Sequence, residues 1–451
     1  MTLINPYNFV PLKEAGPKRD EPYLDRFRFH EGFYRGTLSC KLVILSPTIS
    51  LDHGSKTIEK VQNRKGEQKE IGIFKFLKNH QNSPIFQGSS IKGMIRSVYE
   101  AVTNSCMPFA ATEGESRQRE TRIKYSYADI GIFKKEHCCV SAGIAKLCPA
   151  CQLFGIVEGE SVHCQGKVSI GDATLISGSL VINHYYLKEL SSPKPHHSGT
   201  YGKSISGGGP IAGRKFYYHH GNSAVFSVDE GIDRSRSIRI EEFAPQGCEF
   251  GFKVKVEDVS RDQLGKLLLA MELSNGLGHK IGVGKAIGLG SCKIEIAQET
   301  SCIMESAQRY KGYAATTATN EWYTHKENES IIPDELIEVL RLNKAYEGDI
   351  AYPPVNFYPS QPIDALGVFG GSAKKGHKPK LPVAPPMEPP PKLKVDEEAA
   401  WLRESHNDSL VFVTAGNEVK TRKRSGFQGK SQMLEPGRWF ILSGTNASRR
   451  A

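Results

Sequence analysis

Hydrophobic and polar positions alternate in four stretches of the chain, and each predicts a half-buried strand. Residues 36–46 put Leu38, Cys40, Leu42 and Ile44 on one face. Residues 167–175 turn Val168 and Ile170 inward, and residues 248–256 set Phe250, Phe252, Val254 and Val256 against Glu249, Gly251, Lys253 and Lys255. Residues 291–297 place Cys292, Ile294 and Ile296 on one side. Two stretches carry the helical period instead. Ile91, Ile95, Val98 and Val102 predict a helix opening at Ser89 or Ser90 and ending before Pro108; Leu264, Leu267, Leu268 and Met271 predict another over 261–274, stopped by Asn275-Gly276.

Strand, helix, strand, then strand, helix, strand predicts an α+β protein with a ferredoxin-like sheet of RNA-recognition-motif type, interrupted by insertions. An N-terminal arm, 1–35, precedes the domain at 36–298. Within it the polar stretch 52–70 reads as a mobile loop, 105–164 breaks all periodicity and reads as an insertion, and the Gly/Ser/Pro/His-rich 191–213 reads as a long loop. A helical extension, 299–369, contains a helix over 333–343. A Lys/Pro linker, 370–394, leads to a small β appendage, 395–451.

Composition narrows the function classes. With 39% hydrophobic residues in 451 the chain buries a real core. The net charge of +10 is uneven: residues 371–451 hold 15 basic and 8 acidic side chains, a net +7, which leaves +3 for the rest. A polyanion path on the body is therefore a local stripe. The start of the chain has no apolar leader and no long apolar run occurs, so a soluble cytoplasmic protein is expected, with no membrane partner. Ten cysteines are too sparse for a disulfide scaffold, and five of them fall between Cys138 and Cys164, the pattern of a metal site in a reducing compartment.

A tetrahedral zinc site needs four nitrogen or sulfur ligands, and Cys148-Pro149-Ala150-Cys151 offers two thiolates from one tight turn. His137 with either Cys138 or Cys139 completes the set, with Cys164 or His163 as substitutes. Such a closed site is structural.

Three places suit a phosphate backbone. The turn Gln87-Gly88-Ser89-Ser90 opens a helix whose first two turns carry Lys92 and Arg96, so backbone N–H groups and the positive helix end point outward. The run 278–290 holds glycines with Lys280 and Lys285. It fails as a P-loop, because Ala286 follows the lysine, and it precedes a strand where nucleotide loops precede a helix; glycines that let a strand entry hug a bulky ligand fit better. Arg214 to His220 interleaves Arg214 and Lys215 with Phe216, Tyr217 and Tyr218, a pattern that serves base stacking and core packing equally. No nucleophile elbow and no HExxH motif is present, and the paired histidines 196–197 and 219–220 read as surface residues.

Four segments together resemble the RAMP superfamily of CRISPR-associated proteins, specifically the guide-RNA (crRNA) binding backbone subunits of type III and related effectors. They are Gln87 to Gly93 with Arg96, Cys148 to Gly155, Val168 to Ala173, and Gly282 to Gly290. The resemblance implies a palm of RNA-recognition-motif type, a thumb within 52–86 and a zinc-stabilised insertion. It puts Lys92 and Arg96 on guide phosphates. It also implies target RNA paired to the guide, other copies of the chain, and other effector subunits as partners, and it leaves room for a nuclease among them. Slicing members carry an Asp shortly before the helix motif, and the equal-length position here is Gly72. That points to a scaffold that does not cleave, with Asp52, His53 and Glu70 as the residues able to substitute. Two alternatives stand beside it: an endoribonuclease cutting target or guide, and a zinc-containing module that recruits a nuclease through its tail.

Overall fold

The computed structural model describes residues 3–13, 15–22, 31–63, 65–107, 139, 146–158, 162–187, 190, 213–220, 234–307, 320–342, 349–350, 368–369 and six strand segments between 398 and 448. The chain forms, in order, β1 (Tyr7–Val10), β2 (Phe33–Ile44), β3 (Thr57–Gln62), β4 (Gln68–Phe74), β5 (Ile85–Phe86), α1 (Gly88–Val102), α2 (Pro149–Phe154), β6 (Val168–Ile170), β7 (Ala173–Ser177) and β8 (Val181–Leu187). There follow β9 (Arg214–Tyr217), β10 (Ile238–Phe243), β11 (Glu249–Ser260), α3 (Arg261–Met271), β12 (His279–Lys280), β13 (Ser291–Glu305) and α4 (Asp334–Leu340).

A central sheet runs β12-β13-β2-β11-β7-β5, with β6 also on β11, and its neighbours are antiparallel. The alternating residues of β2, β11 and β13 supply its buried face: Leu38, Leu42, Phe250, Val254 and Cys292 are sealed off from solvent. α1 and α3 pack against each other and bury Ile91, Ile95, Leu264 and Leu268 in the same core. The opposite face is charged, with Lys41 between Glu249 (3.3 Å) and Glu295 (3.8 Å), exposed pairs that contribute little to stability.

The polar stretch 52–70 is not a loop. β3 and β4 form a hairpin in a second sheet, β8-β10-β4-β3, with β4 parallel to β10. Its polarity reflects position: β3 is an edge strand, exposed at Lys60 and at Ile58 (59%), while Ile71 and Phe74 of β4 turn inward. The run 167–175 is two strands, broken at Gly171-Asp172. The described part of 105–164 does not stand apart: Cys106, Leu147, Leu153 and Phe154 belong to the main core.

α3 opens on a reciprocal capping box, Ser260 with Gln263, and ends at Met271, short of residue 274. Glu272 leaves the helix to accept from the Ile296 N–H (3.1 Å), Lys326 (3.0 Å) and the Tyr323 hydroxyl. Residues 320–342 close the body, with Trp322, Leu336 and Val339 buried in the main core. The helix expected over 333–343 is confined to α4, since Pro333 takes the cap position. Strands between Glu398 and Ser448 form a sheet of their own. The linker 370–394 and residues 191–212 lie outside the described residues. No described helix is long and apolar enough to cross a membrane.

Replacing Ser260 with Ala removes one side of the capping box and is expected to lower stability by about 1 kcal/mol, read as a shift of the urea midpoint at unchanged slope.

Candidate metal centre and basic face

The last turn of α1 ends at Val102, and four residues on the chain delivers Cys106 into the core. Cys148 caps α2 and Cys151 sits within it, because Pro149 fixes the first helical turn and points both thiols the same way. With Cys139 these residues form a group whose sulfurs all lie within 4.8 Å of one another, every one buried. The Cys106 and Cys151 sulfurs are 3.4 Å apart, and the Cys148 N–H donates to the Cys139 Sγ at 3.2 Å, as backbone amides do to metal-bound thiolates. Tetrahedral thiolate coordination at a bond length of about 2.3 Å fits that spacing. The thiols share their protons. Hydrogen bonding, from Cys106 first, holds Cys148 well below the ordinary thiol value and takes Cys139 down to about 7; hydrogen bonding with Cys139 pushes Cys106 up, and hydrogen bonding with Cys106 pushes Cys151 up.

Of the expected ligands, Cys148 and Cys151 are in the group, and Cys139 takes the place offered to it as an alternate. His137 and Cys138 lie outside the described residues. Cys164 is buried but directs its thiol at the Gln165 carbonyl (3.8 Å), away from the group. Cys106 was missed, since 32 residues separate it from Cys139 and spacing alone gives no sign of the pairing; its position just past an amphipathic helix was the available signal.

A buried ionic cluster ties this centre to two other elements. Glu100 accepts from Arg96 Nε at 2.7 Å and from Arg214 Nη1 at 3.2 Å. Arg96 also donates to the Gly155 carbonyl (3.1 Å) and lies 3.9 Å from the Cys151 sulfur. Arg214, from β9, donates to the carbonyls of Ser105 and Cys106, the latter at 3.2 Å. Burial pushes the Glu100 carboxyl up and the Arg214 guanidinium down. Both arginines expected on phosphates are thus committed inside the protein. Arg96 keeps part of its side chain on an open cleft of about 680 Å³ that Ser97 and Lys215 also line.

The start of α1 differs from an empty anion seat. The Asp172 carboxylate accepts from the Gly88 N–H at 2.8 Å, so protein already occupies the first donor. Gly88 is required because a Cβ there would stand 2.1 Å from the Ile170 carbonyl oxygen. Ser89 and Ser90 are exposed and Lys92 is half-buried, with burial first and the charge of Arg96 second lowering its pKa.

The glycine loop hugs its own chain. A Cβ at Gly282 would lie 2.3 Å from the Ile49 carbonyl oxygen, and one at Gly290 2.0 Å from that of Ile281. Lys280 reaches back to the carbonyls of Gly288 (3.1 Å) and Leu289 (3.0 Å), and Lys285 to that of Gly282 (2.8 Å). Neither meets a carboxylate among the described residues, and neither does Lys215. Burial pulls Lys280 down to about 7; burial also lowers Lys285. Lys215 reaches solvent, yet enough protein crowds it to bring it down to about 8, with the charge of Lys285 adding to the effect. β13, into which the loop leads, adjoins α1 through the Cys292 thiol and the Met94 sulfur, 3.9 Å apart. Lys280, Lys285 and Lys215 thus form one positive patch beside α1 with no carboxylate partner among the described residues.

The residues considered for catalysis do not converge. Asp52 is held below the usual carboxylate value, first by a hydrogen bond from Ser55, and accepts the Gly54 N–H at 2.9 Å. His53 is exposed, its ring edge against Phe74. Glu70 faces Lys60 across the hairpin. Asp52 joins the chain at Lys75, five residues further along from Glu70 and so about 17 Å away at the rise of a strand. Gly72 sits opposite Ile58 on the same hairpin.

If the four sulfurs hold one ion, Cys106→Ser and Cys151→Ser lose it and Cys164→Ser keeps it. Elemental analysis should fall from about one metal per chain to none in the first two variants only.

The family model of the RAMP superfamily matches residues 55–293. Among solved structures, a chain of a Type IV-B CRISPR complex is 14% identical, covering 58% of this chain and 90% of that one at a TM-score of 0.26. Csc2 of Thermofilum pendens is also 14% identical, covering 72% of this chain and 81% of that one at a TM-score of 0.30. Both are too distant for their properties to be transferred. No curated protein matches the chain.

Proposed function

The chain belongs to the RAMP superfamily, and from that premise we propose that it is a crRNA-binding backbone subunit of a CRISPR ribonucleoprotein, of type III or derived from it. The guide lies on the protein through its phosphates and leaves its base edges free, so sequence is read by pairing with target RNA. Other copies of the chain and other effector subunits complete the particle.

One observation carries this reading: three lysines, Lys215, Lys280 and Lys285, share a patch with no carboxylate among the described residues to neutralise them, beside the helix that bears Lys92. Half-buried like charges without a counter-ion are unfavourable, and an anionic backbone relieves the cost. The strand order supports the palm assignment. Counting β2, β7, β11 and β13 as the first to fourth strands, the sheet reads four-one-three-two with α1 and α3 as the two crossovers, an order that supports a ferredoxin-like palm. The β3–β4 hairpin takes the place of a thumb. Zn²⁺ is the ion that suits four buried thiolates. Cys106, Cys139, Cys148 and Cys151 would hold it, and its role is to fasten the 105–164 segment to α1; no chemistry passes through it.

The subunit binds without cutting in this reading, because Asp52 and Glu70 do not share a site and Gly72 stands where the slicing carboxylate is expected. Incubating the assembled complex with complementary RNA and Mg²⁺ tests this: the RNA should stay intact, and cleavage abolished by Asp52→Ala or His53→Ala would establish the endoribonuclease alternative.

Binding of a labelled single-stranded RNA to the full chain should weaken steeply with salt. Lys92→Glu, Lys215→Glu and Lys285→Glu combined should lower affinity at least about tenfold and flatten the logarithmic salt slope by about 2, at roughly 0.7 for each phosphate no longer neutralised. Unchanged affinity in that variant removes the proposal.

Affinity should also fall as pH rises. A bound phosphate favours the ammonium form and raises the lysine pKa, so binding takes up protons wherever the free lysine has begun to lose its own. Lys280 at about 7 and Lys215 at about 8 place that loss between roughly pH 7 and 9. The neighbours facing Lys280 are Lys285, His219, His220 and Cys292; burial holds both histidines below their usual value and the Cys292 thiol above its own, so none of these three changes charge in that window. A pH titration of RNA affinity that is flat across it contradicts the assignment.

A further inference from the structure

The cleft of about 680 Å³ beside Arg96 is walled by three elements and Met107. α1 supplies Gly93 and Ser97, and β9, paired antiparallel with β1 into a ribbon, supplies Lys215 and Phe216. The strand that leaves α2 supplies Ile156 and Val157 and pairs with Val162–Cys164. Glu100 and Arg214, both buried, line the cleft together with Arg96, so the ion cluster that joins these elements also fixes its shape. Its volume falls within the range of about 300–1,000 Å³ that holds a small organic ligand.

Two of its residues are not used up by the fold. Arg96 has five N–H groups. Its bonds to Glu100 (2.7 Å), the Gly155 carbonyl (3.1 Å) and the Cys151 sulfur (3.9 Å) use three and leave two among the described residues, on a side chain that is 24% exposed. Gly93 differs from Gly88, Gly282 and Gly290: a Cβ there would meet no atom within 4 Å. It lies within α1, where alanine is preferred to glycine, so neither packing nor backbone conformation calls for it. The missing side chain keeps the cleft open one turn before Ser97, whose hydroxyl donates to the Gly93 carbonyl at 2.9 Å. Lys215 is steadied from outside the cleft. Its ammonium stands 3.8 Å from the Tyr7 ring centroid and 4.9 Å from that of Tyr217, two rings that meet edge to face and supply no carboxylate to neutralise it.

We propose that this cleft receives one nucleotide of a single strand, its base against Met107, Ile156 and Phe216 and its phosphate on the spare N–H groups of Arg96 and the charge of Lys215, with Gly93 as the entrance. The inference rests on the RNA-binding reading above and adds to it a pocket that holds a base. The lining selects the occupant. A neutral apolar ligand leaves the guanidinium donors unspent, an inorganic anion leaves the apolar part of the lining wet, and a cation is opposed by Arg96 and Lys215. An anion with a flat apolar body uses both parts, and a nucleotide is that chemistry.

The test titrates full-length protein with two labelled strands of equal length, an oligouridylate and an abasic ribose-phosphate strand. An oligouridylate bearing one 4-thiouridine is also irradiated on the protein, and the linked peptides are identified by mass spectrometry. Wild type should prefer the strand with bases by about fivefold or more, and crosslinks should fall on Met107, Phe216 or residues 154–157. Gly93→Leu fills the entrance. It should weaken oligouridylate binding about 5- to 100-fold, leave the abasic strand bound as in wild type and move the crosslinks out of the cleft. Its urea midpoint should rise, since leucine suits a helix better than glycine, and that separates lost binding from lost structure. A preference for bases that survives Gly93→Leu, or wild-type crosslinks confined to other parts of the chain, overturns the pocket. If wild type binds both strands equally and the combined Lys92, Lys215 and Lys285 variant still loses affinity with a reduced salt slope, only the pocket falls; if wild type binds neither strand, the RNA-binding reading falls with it.

Discussion

Glu100 is the residue on which the functional half of the molecule depends. One carboxylate, almost out of solvent, sits between guanidinium groups from α1 and β9, and each guanidinium also grips a backbone carbonyl of the cysteine-bearing segments. Burying three charges is expensive unless every partner is present, and removing one partner from such a group costs about 3–5 kcal/mol because the rest stay buried and unpaired. The helix, the ribbon and the thiol cluster therefore hold their relative positions together.

That rigidity explains why a body of net charge close to neutral can still present a cationic face. The arginines expected to meet phosphate are committed to architecture, and the positive potential at the surface comes from lysines. Lys215 projects from the same ribbon whose preceding residue is locked beneath it, so the strand alternation that buries Arg214 is what exposes its neighbour. Lys280 and Lys285 are bent back onto carbonyl oxygens, which steadies them without supplying a counter-charge.

Much of the sheet was legible in the chain itself, because β2, β11 and β13 alternate through the segments that pair most regularly, up to the register shifts after Val256 and Ala297, and only one face can be buried. The hairpin at β3–β4 was not, since its edge strand turns only Glu59 and Val61 partly inward and a charged residue on that face leaves no apolar alternation to read. The thiol centre was half legible: a Cys-x-x-Cys turn is a local signal, whereas Cys106 joins it only through the packing of α1. The glycine-basic motifs misled in a particular way. Gly88, Gly282 and Gly290 are needed for close backbone approach, as their pattern suggests, but what approaches is this chain's own carbonyl oxygen. The aromatic partners of Tyr217 came from the far N-terminus, and no local pattern links Tyr7 to residue 217.

The span from Cys106 to Cys139 has a consequence for how this protein can change over time. An ion bound by the four thiols would join Cys106 to Cys139 across 32 intervening residues, and the entropy cost of such a closure grows only with the logarithm of the span, by about 0.6 kcal/mol for each doubling. The thiol group itself therefore sets only a weak constraint on how many residues separate these two cysteines, and tolerates changes of length between them far better than the loss of either thiol.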